Sequence, residues 1–409
     1  MLLIKNARLL TMAGVEYQNG YIAADKGKII SLGDDKEGLE QLEKAINANT
    51  TDAEGIGAES IVAEVIDAKG NYVLPGFVDA HCHIGMCEDS VGFEGDDGNE
   101  MTDPVTPQLR AIDAIYHADR SFVEAYESGI TTVVTGPGSA NVIGGQFAAL
   151  KTYGRCVEEM LIREPVAMKI AFGENPKTVY HEKRQSPMTR MATAAILRES
   201  LMKAREYKQM QEEYERDSEN FDKPDYDMKM EALIKVIKGE IPVKAHAHRA
   251  DDILTALRIA KEFGIRITIE HCTEGHLITD ILLEEKATVI TGPFLTDRSK
   301  IELKNQSPKA PGIISGAGIK TAIMTDHPCT PVQYLPLCAA VAVKEGMDEV
   351  EALKAITINA AEITGIADRV GSLEVGKDAD IIILDGPPLE LKSKVLYTII
   401  NGQVVKRVC

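Results

Sequence analysis

Leu74-Pro-Gly-Phe-Val-Asp-Ala-His-Cys-His83 is the stretch on which the reading of this chain turns. It is a short apolar run with a β-branched residue, ending in His-x-His. Residues two apart on a strand face the same way, so His81 and His83 project to one side and Cys82 to the other. Two imidazoles so placed are a ready chelating pair for a first-row divalent metal. Core packing explains an isolated His-x-His equally well, so its weight depends on the rest of the chain.

Outward from it, similar apolar segments recur at 131–135, 166–172, 241–245, 266–269, 287–291 and 319–325, each followed by a helical pattern or a Gly/Pro turn. With 73–80 and a weaker segment at 141–150 they number eight. Eight strand-then-helix units over roughly 290 residues match an α/β fold, a (β/α)8 TIM-like barrel, whose chemistry sits where strands end. The histidines follow that rule: His81, His83, His246, His248, His271, His276 and His327 all fall at or just after expected strand ends. Val243-Lys-Ala-His246-Ala-His248 ends the fifth strand, Ile267-Thr-Ile-Glu-His271 the sixth, and Ile323-Met-Thr-Asp326-His327 the eighth. One such histidine is more often structural. Four strand ends each aiming a neutral nitrogen or a carboxylate at one axis are a far rarer accident.

The two ends differ from the middle. Segments 2–10, 21–24 and 28–32 read as hairpin strands, followed at 35–60 by a polar stretch expected to form a short helix and loop. Near the other end, 371–384 reads as a turn and a strand, and 395–405 as a pair of strands about Asn401-Gly402, a strong hairpin signal. The expected organisation is therefore a small β-sandwich domain built from residues 1–70 and 369–409, flanking a barrel at 71–368.

The chain has 409 residues with 45 Lys and Arg against 63 Asp and Glu, a net charge of −18 that argues against nucleic acid and anionic membrane as partners. Aromatic residues are 5% and Trp is absent, so the core is aliphatic and base stacking is disfavoured. Seven cysteines without a regular framework point to a reducing, cytoplasmic setting. Charges interrupt the apolar N-terminus, which reads as neither a signal peptide nor a membrane span. The partner expected is a small-molecule substrate, with homo-oligomerisation left open. A long charged helical run at 190–216 reads as an elongated barrel helix with a solvated face, or else as a subunit contact or active-site cover. Residues 136–146, rich in glycine, read as a loop or substrate lid over strands two and three, and lack the spacing of a dinucleotide fingerprint.

Taken together, these residues resemble the amidohydrolase superfamily of metal-dependent hydrolases over nearly the whole chain, including Ile358-Asn-Ala-Ala-Glu-Ile-Thr-Gly-Ile and the Gly371-Ser-Leu-Glu-Val-Gly-Lys-Asp-Ala-Asp-Ile closing segment. The His-Ala-His of strand five is most similar to the imidazolonepropionase-related and prolidase-like branches. The resemblance implies metal ligation by His81, His83, His246, His271 and Asp326, with a bridging ligand from strand four that is a glutamate or a carboxylated lysine. Met168-Lys169-Ile-Ala-Phe-Gly173-Glu174-Asn175 offers both. They lie five apart, so only one faces inward on a regular strand. Glu174 is favoured, because an unmodified buried Lys169 opposes the metal's charge.

The expected cofactor is one or two divalent ions, zinc first, with manganese, iron and nickel also compatible with mixed N/O ligands. Such an ion acidifies water toward a pKa of ~7 and polarises the scissile carbon. Asp326 is the expected base, taking the water's proton and handing it to the leaving nitrogen. His248, Arg249, His276 and His327 are expected to hold substrate. Cys82 and Cys272 adjoin ligands, but strand alternation turns them away to pack. The expected reaction is hydrolysis of a carbon–nitrogen bond in a small amide, cyclic amide or N-acyl compound. The alternatives are an aminohydrolase releasing ammonia, a prolidase-like dipeptidase, or a non-catalytic scaffold, the last disfavoured because every ligand position is filled.

Overall fold

The computed structural model describes residues 1–51, 64–88 and 91–408. The quoted stretch is divided at its glycine. Tyr72–Pro75 pairs with Ile381–Leu384 and with Arg8 and Leu9 in a sheet made from both chain ends, whereas Phe77–Cys82 opens the barrel. A Cβ on Gly76 would lie 2.1 Å from Thr131 Oγ1, so a larger residue has no room where the chain crosses between the sheets. Four residues expected in the barrel thus belong to the end sheet.

That end sheet has eight strands. Leu2–Leu10, Glu16–Asp25 and Lys28–Gly33 form its N-terminal antiparallel part, and Val395–Ile400 and Gln403–Arg407 form the hairpin turned by Asn401 and Gly402 at φ 50° and 75°. Those left-handed angles are what an Asn-Gly turn supplies at least steric cost. The expected helix after the third strand spans Lys36–Thr51; the rest of the expected loop to residue 60 lies outside the described residues.

The second sheet contains the eight strands β1 (Phe77–Cys82), β2 (Ile130–Thr135), β3 (Ile143–Lys151), β4 (Leu161–Ala171), β5 (Val243–Ala247), β6 (Ile267–His271), β7 (Thr288–Thr291) and β8 (Thr321–Ile323), paired in that order. It is nearly closed. Backbone bonds from His83 N–H to His327 O, 2.9 Å, and from Asp326 N–H to His81 O, 3.1 Å, join the mouths of β1 and β8.

One departure from the regular alternation is β3, which runs antiparallel to both β2 and β4. Only residues 136–142 separate β2 from β3, too few for the crossover of a dozen or more residues that a parallel return needs. The glycine-rich segment expected as a loop or lid is a loop at 136–142, whose Gly138 and Ser139 line the cavity at the strand ends, and from Ile143 on it is a buried strand paired to β4.

Arg190–Arg216 is a single helix, capped by the Thr189 side chain on Ala192 N–H at 3.0 Å. Leu197, Leu201 and Ala204, spaced to share one face, join Leu233 and Val236 of the helix Met228–Ile237 and Val243 of β5 in one apolar cluster. The run thus packs on the barrel as an elongated helix. Barrel and end sheet are latched by Lys151, 1% exposed, whose Nζ lies 2.8 Å from Asp378 Oδ2 and also bonds Asp380. No helix among the described residues is long and apolar enough to cross a membrane.

Candidate metal centre

The ends of β1, β5, β6 and β8 converge on a cavity of about 440 Å³. Its walls include His83, His246, His248, His271 and Asp326. His271 and Asp326 adopt left-handed backbone angles, φ 66° and 53°, an uncommon state for such residues that turns the chain sharply at the strand ends.

Two groups of side chains could each hold a metal ion: His81, His83 and Asp326, and His246, His248 and His271. Asp326 Oδ1 lies 3.3 Å from His83 Nε2 and 3.5 Å from His81 Nε2. In the second group the ring centroids of His246 and His248 are 4.3 Å and 4.4 Å from that of His271.

The outer edges of the rings are held. His83 Nδ1–H donates to Gly136 O at 2.6 Å and His271 Nδ1–H to Gly292 O at 2.9 Å, while His248 Nδ1 bonds Thr273 Oγ1 at 2.8 Å. His81 Nδ1 is 2.8 Å from Glu270 Oε2, itself 3.0 Å from Lys244 Nζ, so a fully buried ion pair lies beneath this histidine. Such contacts fix the tautomer and aim the other nitrogen inward.

The donor set fits a divalent ion. His246 Nδ1, His248 Nε2 and His271 Nε2 are buried without a hydrogen-bond partner among the described residues, an arrangement costing about 1–3 kcal/mol per group unless something binds there. Burial, reinforced by neighbouring cationic groups, holds His81, His246 and His271 well below the ordinary imidazole range, and burial takes His248 down to about 4. All four are neutral at physiological pH, the form that a metal ion requires of imidazole. Burial alone would raise the Asp326 carboxyl, but His271 and the His83 bond outweigh it and hold it well below the usual carboxylate range.

At strand four it is Lys169 that reaches the centre. Its Nζ is 3.1 Å from His81 Nε2, and burial lowers it to about 8. Glu174, the favoured residue, begins the helix Glu174–Glu182, belongs to neither ligand group and donates its backbone N–H to Glu302 Oε2 at 3.0 Å. β4 ends at Ala171, before alternation can aim residue 174 inward.

The rim residues separate. His248 lines the cavity within the second group that could hold a metal ion. Arg249 pairs with Asp251 at 2.9 Å, His276 Nδ1–H donates to Thr273 O at 3.0 Å, and His327 Nδ1 accepts from Val332 N–H at 3.2 Å; none of the three lines the cavity. The cavity wall instead carries Asn175 and Lys300, joined at 2.7 Å, with buried Glu302 behind them, 3.6 Å from Lys300 Nζ and 3.7 Å from His248 Nε2. Lys300 precedes and Glu302 lies within a single turn of 3-10 helix, Ile301–Leu303, too short for any periodicity to mark them. Cys82 and Cys272 pack in the apolar shell, and burial pushes the Cys272 thiol up to about 12.

The family model described as the amidohydrolase family matches residues 72–405. The chain belongs to the amidohydrolase family. It is thereby a hydrolase acting on carbon–nitrogen bonds. It is similar to the crystal structure of an amidohydrolase from Thermotoga maritima MSB8, with 39% identity, TM-score 0.90 and full coverage of both chains. It is 28% identical to the amidohydrolase tasK of Hapsidospora irregularis over 83% of this chain, which spans only 37% of that relative's length. It is 25% identical to the imidazolonepropionase of Symbiobacterium thermophilum, covering 95% of this chain and 91% of the relative.

Proposed function

We propose that this amidohydrolase holds two divalent ions, one at His81, His83 and Asp326 and one at His246, His271 and His248, and opens a small cyclic amide or cleaves an N-acyl compound. The observation that carries the reading is the pair of ligand groups facing one cavity, with Lys169 against His81. Lys169 is the strand-four ligand, in its carboxylated form, because a bare ammonium 3.1 Å from a ligating nitrogen would oppose the ion. Zinc is the ion first expected of this N/O set, with manganese, iron and nickel as alternatives.

Bound divalent ions supply an acidified water, with a pKa brought to about 7, and polarise the scissile carbonyl. Asp326, kept ionised by its neighbours, takes the proton of the attacking water and delivers it to the leaving nitrogen. Lys300 and Asn175 bind polar atoms of the substrate at the cavity wall. The imidazolonepropionase relatives favour the cyclic-amide arm.

Metal analysis of the purified chain, followed by a panel of cyclic amides, N-acyl amino acids and aminopurines, tests this. Up to two zinc equivalents and ring opening or acyl release are expected. A chain that retains no metal and turns over nothing after zinc or manganese loading overturns the reading, and stoichiometric ammonia release moves it to the aminohydrolases.

A further inference from the structure

A second cavity, about 330 Å³, lies between the N-terminal halves of the helices Arg190–Arg216 and Ala250–Phe263 and shares no lining residue with the catalytic one. Arg190, Arg198 and Arg258 line it, with Asp252 as the single carboxylate. Three guanidinium groups around one small cavity stand out in a chain whose net charge is −18.

Their donors are only partly used. Arg190 engages Asp252 through Nε at 3.0 Å, and Arg198 engages Glu262 through Nε at 2.8 Å. Arg258 gives one Nη2–H to Thr255 Oγ1 at 3.1 Å and makes no ion pair among the described residues. A guanidinium carries five N–H donors, so the terminal Nη edges remain for a ligand. Thr193 and Thr255 line the cavity beside the arginines.

We propose that this cavity binds a phosphate group. The guanidinium fork matches phosphate oxygens in paired hydrogen bonds, and an oxyanion supplies Arg258 with the counter-charge that Asp252 and Glu262 already give Arg190 and Arg198. The floor is Gly173, at φ +81°, where a Cβ would lie 2.7 Å from Glu302 Oε2 and 3.1 Å from Asp252 Oδ2. The phosphate cavity and the Glu302 carboxylate behind the catalytic wall are thus separated by one glycine.

Calorimetric titration of the metal-loaded full chain with inorganic phosphate tests the site. Saturable binding is expected, weakened at least about tenfold, about 1.4 kcal/mol, in both Arg258→Ala and Arg198→Ala. Phosphate held by the metal centre would survive in both variants, and their circular dichroism controls for folding. A phosphomonoester such as glycerol phosphate is the second arm: tighter binding than phosphate assigns a phosphorylated metabolite, and equal binding assigns the free ion. No binding to the wild-type chain, or binding unchanged in both variants, overturns the proposal.

Discussion

Lys169 Nζ lies 3.1 Å from His81 Nε2, with both side chains buried at the mouth of the barrel. Lys169→Ala therefore removes the strand-four group from the metal centre. Metal content is expected to fall and turnover to drop at least about 100-fold, while Glu174→Ala keeps both close to wild type. Metal stoichiometry and kcat of the two variants, side by side, check this; the reverse ranking restores Glu174 as the ligand.

Asp326→Asn keeps the shape of the ligand but not its capacity to carry a proton. The variant is expected to retain metal at the other group and to lose about 10²–10⁴-fold in kcat. Near-normal turnover with full metal content would remove Asp326 from the proton path.

Glu270→Gln acts beneath the site. It leaves Lys244 buried without its counter-charge and His81 without the carboxylate at Nδ1. A loss of about 3–5 kcal/mol in stability is expected, together with a 10–100-fold loss in metal affinity. Denaturant unfolding of the metal-free chain and metal titration measure the two effects separately.

Lys151→Met breaks the latch between barrel and end sheet and strands buried Asp380, while Asp378 keeps Lys28 and Arg369. About 3–5 kcal/mol of stability should be lost at neutral pH. Burial alone would raise the Asp378 carboxyl, but Lys151, Lys28 and Arg369 outweigh it and hold it below the usual range. A carboxylate so depressed stabilises the fold above its unfolded pKa, and that contribution disappears as pH falls below about 4. The midpoint of unfolding against pH should therefore fall more steeply in the wild type than in Lys151→Met across this acid range. Parallel curves would place the latch elsewhere.

Much of the centre was legible because its signals are local. His81 and His83 are two apart on one strand, and His246, His271 and Asp326 each close an apolar β-segment, so periodicity alone predicts where they emerge. Glu174 misled because it lies beyond the strand, where alternation no longer governs direction, and because the burial that brings Lys169 to the ligands is set by β3 and β5 on either side. Arg249, His276 and His327 have the right chemistry near the right strand ends, but Asp251, Thr273 O and Val332 N–H draw them away from the cavity. Asn175, from the start of the helix Glu174–Glu182, and Lys300, 125 residues later, meet at the wall only in the fold.

By itself the sequence determined the eight barrel segments, the end sheet shared by both termini and the histidines and aspartate at the strand ends, since strand alternation and turn chemistry act over a few residues. Tertiary structure alone decided that β3 runs backward, that Lys169 rather than Glu174 meets His81, that His248 joins the second ligand group, and that three arginines share an outer cavity. Those outcomes depend on which elements become neighbours, and neighbours are chosen by the packing of the whole barrel.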